Sequence, residues 1–251
     1  MFFFISPNFK DKPEVEKLAA LAASRGYKVL FPKNLWGAHY PVGECGIVLG
    51  EQAFAEYLAQ EMRWNLCQNS IGYMEEISYH YAKRLVKIET IANAKKFEHE
   101  KHKYRKELRA ADNDRLFDAG IYNDYPEQVP EESIVMRSVS QEWTHKYRFL
   151  IQSGKVIDGY KYKNYRVENV PGITSLLNDV RDASGQTCRE YLESFMVVNA
   201  TAPACVIDVG FIDDVGWAII DTHPVWMTPP SYFDTEAFLK ALITSCTLVR
   251  K

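Results

Sequence analysis

The sequence predicts an α+β chain in which a mainly antiparallel sheet follows a small α/β layer. Three observations carry this. The first 50 residues alternate short apolar runs with an amphipathic segment in the order strand, helix, strand. The second half holds two hairpin signals with helical patterns between and after them. The chain has 251 residues, 47% hydrophobic and 25% charged, which is an ordinary globular composition and enough for one or two domains.

The elements follow in order. Phe2–Ile5 is a short apolar strand, and a polar loop covers 6–12. Pro13 suits a first helical turn because its missing N–H has no intrahelical partner there, and Asp11 lies near enough to help cap it. Val15, Leu18, Ala19 and Ala22 repeat at helical spacing, Gly26 ends the helix and 27–31 returns as a strand. Residues 47–49 read as a third strand and 51–62 as a second helix. Residues 64–105 are less regular. The stretch 95–109 is dense in charge, which reads either as a solvated helix face with mixed-sign pairs or as a hinge leading a basic strand into a phosphate site.

Beyond it, Ile134–Val139 is a strand, and 146–151 and 155–162 flank a turn at Gln152, Ser153 and Gly154. Tyr191, Leu192, Phe195 and Met196 give 187–199 helical spacing. A second hairpin, 204–212 with 216–222, turns at Asp213 and Asp214, and 235–248 reads as a closing helix. The expected organisation is an N-terminal α/β domain over 1–92 and a second domain over 93–251, with subdomains at about 93–142 and 143–251.

Composition removes several function classes. A net charge of -3 argues against wholesale binding of duplex DNA. No run of 18 apolar residues exists, so no membrane span is expected. The apolar opening lacks a basic leader and a small-residue cleavage site, so it does not read as a signal peptide. Five widely spaced cysteines without a CxxC suggest a reduced, cytoplasmic setting, each thiol serving as a small buried hydrophobe. No Walker A, GxGxxG, GxSxG or HExxH pattern occurs.

The chemistry concentrates in the second hairpin. Its two apolar strands each carry one acid, Asp208 and Asp221. With the turn over 213–216, Ile212 opposes Trp217, Asp208 opposes Asp221, and Asp221 shares a face with His223. Opposed carboxylates repel and resist burial, which makes sense if a divalent cation sits between them; Mg²⁺ takes a couple of carboxylates plus phosphate oxygens. The alternative is that the acids lie on a wet face, and His223 alone reads more readily as a hydrogen-bonded histidine than as a ligand.

The first hairpin is basic. Tyr147, Phe149 and Ile151 take one face, Lys146 and Arg148 the other, and Lys161 and Lys163 share a face of the partner strand. Such a surface suits a polyphosphate, with Arg148 supplying planar donors, or is an ordinary solvated face. A third element places Arg109 and Arg115 six apart around a turn.

In this order the pieces resemble the ATP-grasp superfamily, and within it the phage and bacterial clade named for an arginine and two lysines. The resemblance spans about residues 80–228 and rests on three parts of the sequence. They are Trp143 through Arg148 with Gly154-Lys155-Val156, the run Ile207-Asp208-Val209-Gly210, and Gly216-Trp217-Ala218 leading to Asp221-Thr222-His223-Pro224-Val225-Trp226. It implies ATP between two α+β subdomains, Asp208, Asp221 and His223 as the metal-site residues, and Arg148 as the catalytic arginine that meets phosphate. It also implies Val139 at the adenine hinge, Lys146 and Lys161 near the nucleotide, and Arg109 and Arg115 where the lysines stand. The implied reaction joins a carboxylate, on a small molecule or a peptide, to an amine through an acyl phosphate, with ATP and Mg²⁺. Departures are the two arginines, Lys146 where an acid is expected, Asp221 for Glu and His223 for Asn. They leave open a non-catalytic nucleotide- or macromolecule-binding protein, and more weakly an RNA binder using 95–109 and Tyr104.

Overall fold

A computed structural model describes residues 1–32, 44, 46–70, 72–98, 106–110, 120–122, 124–139, 141–163, 166–167, 177–178 and 180–248. The chain opens as expected. Strands β1 (Phe2–Ile5), β2 (Lys28–Leu30) and β3 (Gly46–Leu49) form a parallel sheet with β1 in the centre. Helices α1 (Pro13–Ser24) and α2 (Gln52–Met62) bury Val15, Leu18 and Ala22, and Phe54, Leu58 and Met62, in its core. Pro13 leads α1, but the N-cap is Lys12 and makes no side-chain cap bond. Asp11 thus lies one residue too early to cap, and Glu14 and Glu16 face the helix dipole instead.

The irregular stretch resolves into β4 (Trp64–Leu66), the one-turn helices α3 (Tyr73–Glu76) and α4 (Tyr79–Ala82), β5 (Val86–Thr90) and α5 (Ile91–Glu98). With β6 (Lys106–Ala110), β7 (Gly120–Tyr122) and β8 (Ile134–Val139), strand β5 builds a four-stranded antiparallel sheet in the order β5-β8-β6-β7. The charged stretch, read either as a helix face or as a hinge leading into a strand, divides between α5 and β6, while 99–105 lie outside the described residues.

The largest sheet is antiparallel. It holds β9 (His145–Gln152), β10 (Lys155–Lys163), β11 (Arg166–Val167), β12 (Ala204–Ile212) and β13 (Gly216–Pro224), in the order β11-β10-β9-β12-β13. Helix α6 (Cys188–Val198) starts on a capping box between Thr187 and Glu190 and packs Leu192 and Phe195 against Tyr147, Phe149, Val209 and Ile219 on one face of this sheet. Helix α7 (Thr235–Ser245) covers part of the other face, where Leu150, Ala204 and Val206 join Phe238 and Leu242 in the core of the N-terminal sheet.

The closing helix is shorter than its spacing suggests. Cys246 leaves the helix with extended dihedrals, and β14 (Cys246–Leu248) pairs with β4. Two elements also cross the boundary expected at residue 92. Strand β5 pairs with β8, and α7 packs on α1 and β3. Among the described residues no helix is long and apolar enough to cross a membrane.

Candidate active site

The site grows from the middle of the large sheet, where β12 runs between β9 and β13. Asp208 opposes Arg148 on one side and Asp221 on the other. The opposition of the acids is as expected, but the turn is not. Ile212 pairs with Gly216 rather than Trp217, because Asp214 (φ 63°) and Gly216 (φ 96°) fold the chain back one residue earlier. A β-bulge then inserts Ile220 opposite the step from Asp208 to Val209. The extra residue reverses side-chain parity. Ile219 stays on the α6 face with Val209, while Asp221 turns to the opposite face beside Asp208.

On that ionic face the contacts are tight. Arg148 grips Asp208 through two parallel bonds, Nε to Oδ1 and Nη2 to Oδ2, both 2.7 Å. His223 Nε2 lies 3.2 Å from Asp208 Oδ2 and 3.5 Å from Asp221 Oδ2, and the Thr222 N–H donates to Asp221 Oδ1 at 2.7 Å. Asp208 and Asp221 are only 4% and 7% exposed, so the reading of acids on a wet face does not describe them. Burial pushes the Asp208 carboxyl up, but the charge and hydrogen bonds of Arg148, helped by His223, override this and hold it below the usual carboxylate range. The Arg148 guanidinium is disfavoured by burial yet held more firmly charged than usual by Asp208.

The Oδ2 atoms of both acids lie within 3.5 Å of His223 Nε2. Among the described residues no three His, Cys, Asp or Glu side chains form a metal cage of their own. Two adjacent buried carboxylates nonetheless fit a hard dication such as Mg²⁺, which completes its shell with water and phosphate oxygens rather than with a third side chain. The imidazole meets the acids at hydrogen-bonding distance.

The other expected residues divide. Lys146 follows β9 to the same face as Arg148, two residues away. Val139 ends β8 with its side chain 47% exposed, and exposed Leu85 precedes Val86, whose partner is Ser138, so both apolar groups sit at one end of the β5–β8 pair. Lys161 is not brought to the site. A bulge at Ile157 shifts β10, so Lys161 opposes Tyr147 and its Nζ lies 5.7 Å from that ring, on the α6 face. Tyr160 and Tyr162 occupy the positions opposite Arg148 and Lys146. Arg109 is placed as a β6 backbone position opposite Met136, while Arg115 and Tyr104 lie outside the described residues.

Several contributors were not among the expected site residues. The Tyr162 ring lies 5.7 Å from the Arg148 guanidinium. Burial pushes the Tyr160 and Tyr162 hydroxyls up, so they remain protonated. Trp143 covers Gly210, where an added Cβ would come within 2.1 Å of the indole. The Asp–Val–Gly run around Asp208 hinted at that close approach, since a glycine inside a strand often marks one.

In sequence, no family profile and no curated protein matches the chain. Solved structures do match it in three dimensions. D-cycloserine synthetase DcsG superposes with a TM-score of 0.57 at 11% identity, over 97% of this chain and 99% of that one. A RimK domain ATP-grasp protein from Sphaerobacter thermophilus gives 0.55 at 11% identity, over 97% and 98%. D-alanine–D-alanine ligase from Bacillus anthracis gives 0.55 at 8% identity, over 98% and 97%. The order of strands, the paired acids and these whole-length superpositions agree on one architecture: the chain has the ATP-grasp fold.

Proposed function

We propose that the protein is an ATP- and Mg²⁺-dependent ligase that activates a carboxylate as an acyl phosphate for attack by an amine. The observation that carries this is the pairing of Asp208 with Asp221 beside Arg148 on the central sheet of an ATP-grasp fold. Structural neighbours named as a D-cycloserine synthetase and a D-alanine–D-alanine ligase support joining chemistry.

In this reading Asp208 and Asp221 hold Mg²⁺, which supplies charge neutralisation for the transferring phosphoryl group. Arg148, held charged against Asp208, would add positive charge next to the oxygens that gain charge in transfer. The substrate carboxylate oxygen bonds to the γ-phosphorus as the bond to ADP breaks. The amine nitrogen then bonds to the acyl carbon, phosphate leaves, and the amine proton passes to solvent. Lys146 adds positive charge on the same face, and the exposed Val139 and Leu85 offer an apolar seat for the adenine ring. Tyr160 and Tyr162 flank the site from the neighbouring strand, opposite Arg148 and Lys146.

One observation favours a second reading, a nucleotide- or macromolecule-binding protein without turnover: both Asp208 oxygens are already engaged by Arg148. Incubating the purified chain with ATP, Mg²⁺ and a panel of amino acids and short peptides separates the two. Ligase activity gives ADP release that requires Mg²⁺ and is lost in Asp208→Asn. A Mg²⁺-dependent thermal shift with ADP, unaccompanied by turnover on any acceptor, favours the second reading.

A further inference from the structure

Arg84 lies between α4 and β5 and is only 3% exposed. Burying a guanidinium is costly unless its donors are satisfied. Its Nη1 donates to the Ile219 carbonyl at 3.0 Å and its Nη2 to the Ile220 carbonyl at 2.6 Å. Its Nε donates to Ser138 Oγ at 3.1 Å. In a regular strand successive carbonyls point to opposite edges, so one side chain does not reach both. The bulge at Ile220 breaks that alternation, and β13 is an edge strand, so the two carbonyls are open to a single planar fork. The other side of the guanidinium meets Trp143, 5.3 Å from the ring, and Trp143 rests on Gly210.

We propose that Arg84 is a positioning residue that locks the Ile220 bulge, and with it the direction of Asp221, to the end of β8 next to Val139. Asp221 follows directly on the two carbonyls that Arg84 holds, and Val139 follows directly on Ser138. One buried side chain thereby ties the acid side of the cleft to the side where β5 and β8 end. The proposal rests on the reading of that cleft as the nucleotide site, but the coupling it asserts exists without nucleotide. Lysine at this position keeps the charge and loses the fork, so it separates geometry from electrostatics.

The test is residue-resolved amide hydrogen exchange on the full chain without nucleotide, for wild type, Arg84→Lys and Ser138→Ala. The Thr222 amide reports Asp221 directly, because it donates to that carboxylate. Arg84→Lys is expected to speed exchange at Ile220 to Thr222 and at Arg137 to Val139 together, by about tenfold, the loss of one charged hydrogen bond, while β1 and α6 hold wild-type rates. Ser138→Ala should give the same pattern with a smaller rise. Acceleration spread evenly over the protein, or confined to one of the two segments, overturns the proposal. Should Arg84→Lys fail to fold, Ser138→Ala decides it: a rise at Thr222 supports the coupling and a wild-type rate there refutes it. ADP and Mg²⁺ titration of the wild type is run alongside. A coupled exchange pattern in a protein that binds no nucleotide breaks the functional reading and leaves the positioning role standing.

Discussion

The two hairpins of the large sheet use one device to opposite ends. Strands β9 and β10 meet around Gln152, and strands β12 and β13 around Asp213 and Asp214; each pair contains one inserted residue, Ile157 in the first and Ile220 in the second. In the second hairpin the insertion brings Asp221 to the face of Asp208. In the first it carries Lys161 away from Arg148 and puts Tyr160 there. Charge on this sheet is therefore assigned to a face by single-residue insertions as much as by the alternation of residue types. The ionic cluster owes its composition to both.

Removing an insertion is the strongest way to break this contrast. Deleting Ile220 would leave Asp221 directly after Ile219, still opposite Asp208, but would restore the alternation of carbonyls along β13 and so take one of its two carbonyl acceptors from Arg84. The expected outcome is loss of cooperative unfolding, since a buried guanidinium left short of its hydrogen bonds costs several kcal/mol. Circular dichroism and a denaturant titration check it.

Next comes Arg148→Met, which leaves Asp208 buried beside Asp221 without its principal partner. It should cost about 3–5 kcal/mol in urea unfolding. The same pair predicts a pH dependence. The folded Asp208 carboxyl is held below its ordinary value, so its contribution is complete above the unfolded value of about 3.9 and is lost as acid takes the pH down through the folded one. The gap in melting temperature between wild type and Asp208→Asn should narrow from about pH 6 to about pH 3, and a gap that widens on acidification contradicts the assignment.

Gly210→Ala is expected to be milder, about 1–3 kcal/mol, because the added methyl displaces the Trp143 ring rather than a charge. A shift in tryptophan emission should accompany it. The smallest effect sharpens the comparison. Lys161→Ala should change stability by less than about 0.5 kcal/mol and leave ADP affinity as it was, whereas Lys146→Ala should weaken ADP. Equal losses from both lysines would mean that the two faces do not differ as described.

Much of this was legible in the residues. The parallel opening, the two hairpins and α6 followed from periodicity and turn chemistry, and the pairing of Asp208 with Asp221 was readable from two apolar runs around an acidic turn. That last reading succeeded because two departures cancel: the turn closes one residue early, and Ile220 adds one back. No such cancellation helped Lys161, since Ile157 looks like any other strand residue and nothing local marks it as inserted. Arg84 and the seat of Trp143 on Gly210 escaped for a different reason. Their partners are backbone carbonyls and a glycine far along the chain, and periodicity carries no information about contacts at that separation. The strand at Cys246–Leu248 was hidden because apolar residues continue the helical spacing while the backbone is taken up by β4.

That last pair also governs how the chain is made. The N-terminal sheet completes its core with Phe238, Leu239 and Leu242 of α7, and β4 is without its pairing partner until Cys246–Leu248 emerge. During synthesis β1, β2 and β3 leave the ribosome long before these segments do, with Phe4, Ile5 and Val48 lacking part of their cover. The first unit translated is thus among the last to be sealed. A nascent chain stalled before α7 should be a substrate for holding chaperones, and its release should depend on the arrival of one helix and three residues of strand.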